Sequence, residues 1–265
     1  MEKTTKTTII AIANQKGGVG KTTTTVNIAA ALVTMGKKVL CIDYDPQSNM
    51  GKYLGHAPDG NPTITDFILA YATYMPLPPA EGLIRHTSFG IDYIPSSLRL
   101  SRAENALAQR MCREQALREI LPGIVQDVYD FILIDCPPSM GILLTNAMTA
   151  ADRVLIPVQT EEFSIDGLAD MMELIAMIKA NINPGLEIAG LLPTMTDSSA
   201  GCRDILELLH SEYADLVFTG SIGDYKAAPK SVKARKPVIG TKTKLAAQYM
   251  TAAVELLERS AQKEH

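Results

Sequence analysis

No stretch of the chain stays apolar for the roughly 18 to 20 residues that a bilayer-spanning helix requires. The opening MEKTTKTT lacks the apolar centre of a secretory signal. Together these absences predict a cytoplasmic chain with no stable membrane association. Cysteine is sparse: Cys41, Cys112, Cys136 and Cys202 are scattered without a CxxC pair, so neither a zinc knuckle nor a paired iron–sulfur ligand set is visible. Cys41 and Cys136 fall in strand-like apolar runs and read as small buried side chains. The histidines are equally dispersed. Nor is the chain basic throughout, since its net charge is −4. That balance excludes a uniformly cationic protein and leaves room for a local basic patch. There is no internal repeat and no low-complexity tract. What is present is 46% hydrophobic residue over 265 positions, ample for a large buried core.

Short β-branched apolar runs alternate with helical patterns, as in βαβ units that build a parallel sheet. The predicted strands are Thr8 to Ala13, Lys38 to Asp43, Asp130 to Asp135, Arg153 to Val158, Leu186 to Leu192 and Val217 to Ile222. Their continuous hydrophobicity suits strands covered on both sides. Helices are expected at Lys21 to Met35, Ser101 to Ile120, Ser164 to Lys179, Cys202 to Tyr213 and Thr243 to Ser260. Met171, Met172 and Met177 in the third of these read as core packing. Gly55 to Pro95, rich in proline and turn residues, reads as a surface excursion and not a separate domain. The expected fold is therefore α/β: one doubly wound, mostly parallel sheet with helices on both faces.

The segment IAIANQKGGVGKTTTTVNIAAALVTMG places glycines directly after a strand and before a helix. In that context backbone N–H groups close around phosphate oxygens and the helix N-terminus adds partial positive charge. A strict GxxxxGK[ST] loop would need glycine where Gln15 stands. What remains is KGGVGKT: Gly17, Gly18, Val19, Gly20, Lys21, Thr22 and Thr23 as the nucleotide-binding run. Lys21 is placed for the β and γ phosphates, and Thr22 for a Mg²⁺ ion. Two further strand ends offer carboxylates: CIDYDPQSN with Asp43 and Asp45, and FILIDCPPSMG with Asp135 in the manner of a Walker B aspartate. Lys16, five positions before Lys21, has no obvious task at the same phosphates.

These motifs resemble the ParA/Soj/MinD family of deviant Walker A P-loop ATPases, and the ParA/Soj branch most of all. The matching blocks are NQKGGVGKTTTTVNIAAAL, VLCIDYDPQSN, IDYIPSSLRLSRAE, YDFILIDCPPSMGILLTNAMTAADRVLIPVQTEEFSIDGL and, more loosely, GLLPTMTD and AAPKSVKARKPV. They run from Thr8 to Leu256. The resemblance implies a single ParA-like ATPase domain over residues 1–265, with 1–7 a flexible tail and no N-terminal helix-turn-helix domain. It implies ATP and Mg²⁺ as ligands, slow basal hydrolysis, and an ATP-dependent homodimer in which Lys16 crosses to the partner's phosphates. It also implies that Asp45 orients or deprotonates the attacking water, and that Asp43 and Asp135 hold the metal mostly through its waters. Thr194, Met195 and Pro229 would border the adenine.

Between Lys226 and Lys244 the chain carries seven basic residues and no acidic one. ParA-like relatives bind DNA without sequence preference through this part of the fold, as ATP dimers stimulated by a ParB-like adaptor. The resemblance therefore makes Lys226, Lys230, Lys233, Arg235 and Lys236 candidate DNA contacts, with Arg203 a further one, and implies nucleoid association. Asp224 and Tyr225 depart from the family, standing where its members are usually basic. Two alternatives from the same superfamily stay open: a MinD-like membrane-cycling ATPase, which would need an amphipathic C-terminal helix, and positioning of a cargo other than DNA. A metal-cluster ATPase lacks its cysteine pair here.

Overall fold

In a computed structural model that describes residues 7–125, 128–161, 164–224 and 226–261, the chain forms one eight-stranded sheet in the order β3-β4-β2-β5-β1-β6-β7-β8. The strands are β1 (Thr8–Ile12), β2 (Val39–Asp43), β3 (Arg85–His86), β4 (Asp92–Ile94), β5 (Phe131–Asp135), β6 (Arg153–Gln159), β7 (Glu187–Thr196) and β8 (Ile222–Gly223). All neighbouring pairs are parallel except β3 with β4 at the edge. Alternation along each strand divides the core in two. Ala11, Leu40, Ile42, Ile134 and Ile156 face one helical layer, made by α3 (Ile64–Ala72), α4 (Leu100–Leu107), α5 (Ala116–Ile124), α6 (Ile142–Ala150) and α7 (Ser164–Asn181). Ile10, Ile12, Cys41, Leu133 and Leu155 face the other, made by α1 (Lys21–Thr34), α2 (Asn49–Tyr53) and α10 (Lys244–Ala261). The doubly wound sheet is the one expected.

Several boundaries differ from expectation. The helix predicted over Ser101 to Ile120 is α4, a 3-10 turn at Arg113–Gln115, and α5. The break follows from Cys112, whose φ of 52° turns the chain left-handed. Gly55 to Pro95 is more than an excursion: α3 starts with a Thr63/Asp66 capping box, buries Ile64, Phe67 and Ile68, and leads into β3 and β4. The strand expected at Val217 to Ile222 is reduced to a single bridge, Val217 to Leu191, before β8. Helices α6, α8 (Ala200–Tyr213) and α9 (Ala227–Ala234) complete the set, with α6 and α9 not foreseen. Met171 is buried as expected, whereas Met177 is 52% exposed. Of the expected tail, only Thr7 is described, and its hydroxyl donates to the Tyr129 carbonyl.

Candidate functional site

The carboxyl ends of β1, β2 and β5 lie side by side, with Ile12 opposite Asp135 and Asp43 opposite Asp135 in register. Their loops therefore meet in one crevice, where ligands of open α/β sheets bind. The β1–α1 loop holds Gly18 at φ 80° and Gly20 at φ 88°. Both values are in the left-handed region that glycine enters without strain, and Gly20 is the N-cap of α1. The loop's orphan N–H groups and the positive end of α1 thus converge on the crevice. Asn14 braces the loop from beneath: its side-chain N–H donates 2.7 Å to the Pro157 carbonyl, and its oxygen accepts from the Lys16 N–H at 2.9 Å.

The two lysines are held in opposite settings. Lys21 is buried, and its Nζ donates to the Lys16 carbonyl at 2.9 Å. Burial lowers its pKa, opposed chiefly by the nearby Asp135 carboxylate. The Lys16 side chain is 33% exposed at the rim and pairs with Glu161 at 2.8 Å. Sequence reasoning did not single out Glu161 or Asn14, because nothing local marks a residue whose partner lies some 145 positions away.

Thr22 donates its hydroxyl to Asp135 Oδ2 at 2.7 Å, and Thr25 donates to Oδ1 at 3.3 Å. Asp135 is fully buried. Burial pushes its pKa up to about 7, Asp45 adds to the rise, and the Thr22 hydrogen bond and Lys21 work against it. Asp43 is pushed up as well, by burial first and Asp135 second. Its oxygens accept the Gly51 N–H at 2.8 Å and the Asp45 N–H at 3.3 Å. Asp43 therefore organises the β2–α2 loop, while Asp135 lies buried behind Thr22, which lines the cavity. Asp45 lines the crevice, and its carboxylate caps the Gln47 N–H at 2.9 Å.

A cavity of about 510 Å³ continues from Gly17, Gly18, Gly20, Lys21, Thr22 and Thr23 toward an apolar end with Met195, Ile222, Pro229, Val232 and Leu245. Thr194 forms part of that wall, its hydroxyl donating to the Val19 carbonyl at 3.0 Å. Met195 is held left-handed at φ 56°. The structure thus brings together the expected phosphate, acid and base-side residues. Asn49, Lys52, Tyr53, Pro138 and Tyr249 line the same space and were not foreseen. A charged phosphate end joined to an apolar end fits a nucleotide. No three His, Cys, Asp or Glu side chains converge as a metal cage among the described residues. A cation would share its shell with phosphate oxygens, as Mg²⁺ does.

Lys226, Lys230 and Lys233 are exposed on α9. Arg235 ends that helix at φ 53° with its stem over Gly55, and Lys236 follows, its backbone N–H bonded to the Ser231 carbonyl. Arg203 stands apart on α8, its guanidinium donating to the Ser198 carbonyl at 2.7 Å. Tyr225 lies outside the described residues. The apolar face of α10 is spent on the core, through Leu245, Tyr249, Ala253 and Leu256. No described helix is long and apolar enough to cross a membrane.

A family model described as an AAA domain matches residues 7–188. The chain is 36% identical over 256 residues to the chromosome partitioning protein ParA of Caulobacter vibrioides, covering 95% of this chain and 94% of that protein. It is 37% identical over 233 residues to the sporulation initiation inhibitor protein Soj of Bacillus subtilis, covering 87% and 90%. Among solved structures, cobyrinic acid a,c-diamide synthase from Mycobacterium smegmatis with bound ATP analog and magnesium superposes with a TM-score of 0.83 at 34% identity, covering 97% and 96%. With a family model over residues 7–188 and more than a third of its residues shared with ParA and Soj along most of its length, the chain belongs to the ParA/Soj branch of the ParA/MinD family of deviant Walker A ATPases.

Proposed function

We propose that this chain is a partition ATPase: one ATPase domain that pairs with a second copy when ATP and Mg²⁺ are bound, holds nucleoid DNA as that pair, and is released when a ParB-like adaptor stimulates hydrolysis. The observation that carries the reading is the opposed setting of the two lysines, Lys21 buried in the glycine loop and bonded to the Lys16 carbonyl and Lys16 at the rim. Lys21 would neutralise the β and γ phosphates, and Thr22 with Asp135 would hold the cation. Asp45 aligns water and accepts its proton. Asp43 keeps the Asp45 loop in place and would help to hold the metal. Thr194, Met195 and Pro229 border the base. Lys16 of a second copy, about 4 Å from a phosphate, would interact by roughly 4 kcal/mol per unit charge at an effective dielectric near 20, before desolvation is subtracted. One γ-phosphate is then enough to decide association.

Among the described residues lining the cavity there is no arginine, which supports slow turnover until a partner completes the site. The exposed lysines of α9 with Arg235 and Lys236 supply the DNA surface, and two such patches on a pair act bivalently. Arg203 is the more remote candidate. The reading places the chain in the cytoplasm on the nucleoid, without stable membrane association. Its test is the anisotropy of a labelled duplex with ATP, ADP or no nucleotide across a salt series. Binding is expected with ATP alone, weakening by about 0.9 log units per log unit of salt for each phosphate neutralised, and lost in Lys21→Ala and Lys16→Ala. Equal binding in all nucleotide states would refute it.

A further inference from the structure

Helix α2 brings a third lysine to the site. Asn49, Lys52 and Tyr53 all line the nucleotide cavity, and their i, i+3, i+4 spacing makes them the face of this short helix that looks into it. Tyr53 anchors that face. Its hydroxyl lies 2.6 Å from the Ser231 hydroxyl and accepts the Asn27 amide at 3.3 Å, and Asn27 is itself held by the Val238 N–H at 2.8 Å. Lys52 beside it is exposed, and its Nζ donates to the Gln47 carbonyl at 2.6 Å. An ammonium has three donor hydrogens, so two of them are free among the described residues. Gln47 in turn gives its N–H to Asp45 Oδ1 at 2.9 Å. Lys52 is therefore held next to the Asp45 loop. Among the described residues lining the cavity, the cations are Lys21 on α1 and Lys52 on α2.

We propose that Lys52 is a catalytic residue of this site: its ammonium contacts the terminal phosphate of a bound nucleoside triphosphate from the Asp45 side, while Lys21 holds the phosphates from the glycine loop. The inference rests on the ATPase reading of the cavity given above. As water adds to the γ-phosphorus and the bond to the β–γ bridging oxygen breaks, the water proton passes to Asp45 and the electron pair stays with the diphosphate. A second ammonium at the transferred group lowers the cost of that charge movement, and it needs little rearrangement because Gln47 already holds it in place. One ammonium with a donor committed to Gln47 stabilises less than an arginine fork does. The assignment thus agrees with slow turnover by the single chain.

The test compares a non-hydrolysable ATP analogue with ADP, each competing against a fluorescent ADP analogue at protein concentrations where light scattering shows single chains. Turnover is followed in parallel as phosphate release at saturating ATP and Mg²⁺. Lys52→Met, which keeps the stem and removes the charge, is expected to weaken the ATP analogue by about tenfold and to leave ADP affinity unchanged. Its turnover is expected to fall by about tenfold or more. Lys52→Arg is expected to restore both, and Lys52→Gln neither, although glutamine retains a donor for the Gln47 carbonyl. A role confined to bracing the Asp45 loop would slow turnover and keep the ratio of the two affinities. That result, an equal loss of both affinities, or a Lys52→Met chain that turns over as fast as the unmodified one overturns the assignment and leaves the ATPase reading intact. Absence of hydrolysis in the unmodified chain overturns both.

Discussion

The Lys16–Glu161 contact sets a threshold for reaching a second copy. In the single chain the ammonium is held by its own Glu161 at 2.8 Å, and that carboxylate is 57% exposed. An exposed pair of this kind is worth about 0 to 1 kcal/mol, a restraint of a few-fold and not a lock. Glu161→Gln is therefore expected to lower the protein concentration needed for ATP-dependent pairing by about two- to fivefold, read by light scattering over a dilution series. An unchanged midpoint would show that Glu161 does not restrain Lys16. Asp135 carries a pH signature. Its folded pKa of about 7 lies above the ordinary value of 3.8. The free fold keeps a proton that the unfolded chain releases. That contribution to stability is full below the unfolded value and lost as pH rises through about 7. On the proposed assignment of Asp135 to the cation, which would need the ionised carboxylate, the affinity for Mg·nucleotide is expected to climb by up to about tenfold per pH unit below neutrality and then level off. Asp135→Asn should bind more weakly and lose the slope. A flat profile in the unmodified chain would remove Asp135 from the metal shell. The acids and glycines were legible because their chemistry is local. Asn14, Asn27 and Glu161 were not, since each acts on residues distant in sequence.

At the level of elements, strands β1, β2, β5 and β6 were legible because burial on both faces writes them as continuous apolar runs. The break between α4 and α5 was not, because no glycine or proline marks it. It is made at the left-handed Cys112, and Arg110 just before it stacks on the rings of Tyr71 and Tyr74 at 3.7 and 4.0 Å. Helix α9 was hidden by its lysines and by Pro229, which is tolerated because it falls in the first turn. The register of β7 against β6 shifts at Val154/Leu155, where Gly190 adopts φ 152°. A Cβ there would come within 2.5 Å of the Phe218 ring and 2.8 Å of the Leu216 carbonyl. Gly190→Ala is expected to cost about 2 to 4 kcal/mol, measured by urea unfolding. A loss below about 0.5 kcal/mol, the range of ordinary surface substitutions, would mean that β7 accommodates the methyl group. The irregularity matters for the site, since the same strand goes on to place Thr194 and Met195.

For the whole molecule, a net charge of −4 coexists with a segment, Lys226 to Lys244, that carries seven basic residues and no acidic one. On the proposed reading, attraction to DNA would therefore be concentrated in one region, and one copy would offer few phosphate contacts. Doubling that surface is what would make binding depend on nucleotide. The order of the central strands follows from the alternation of strand and helix, whereas the edge pair β3–β4 depends on tertiary contacts that no periodicity announces. The central claim is that a terminal phosphate joins two copies through Lys16. Sedimentation equilibrium of Asp45→Ala, saturated with Mg·ATP, tests it most directly. The account predicts twice the 28.6 kDa chain mass, reverting to a single chain with ADP or on adding Lys16→Ala. A single-chain mass with ATP, or a pair that forms equally with ADP, would contradict it.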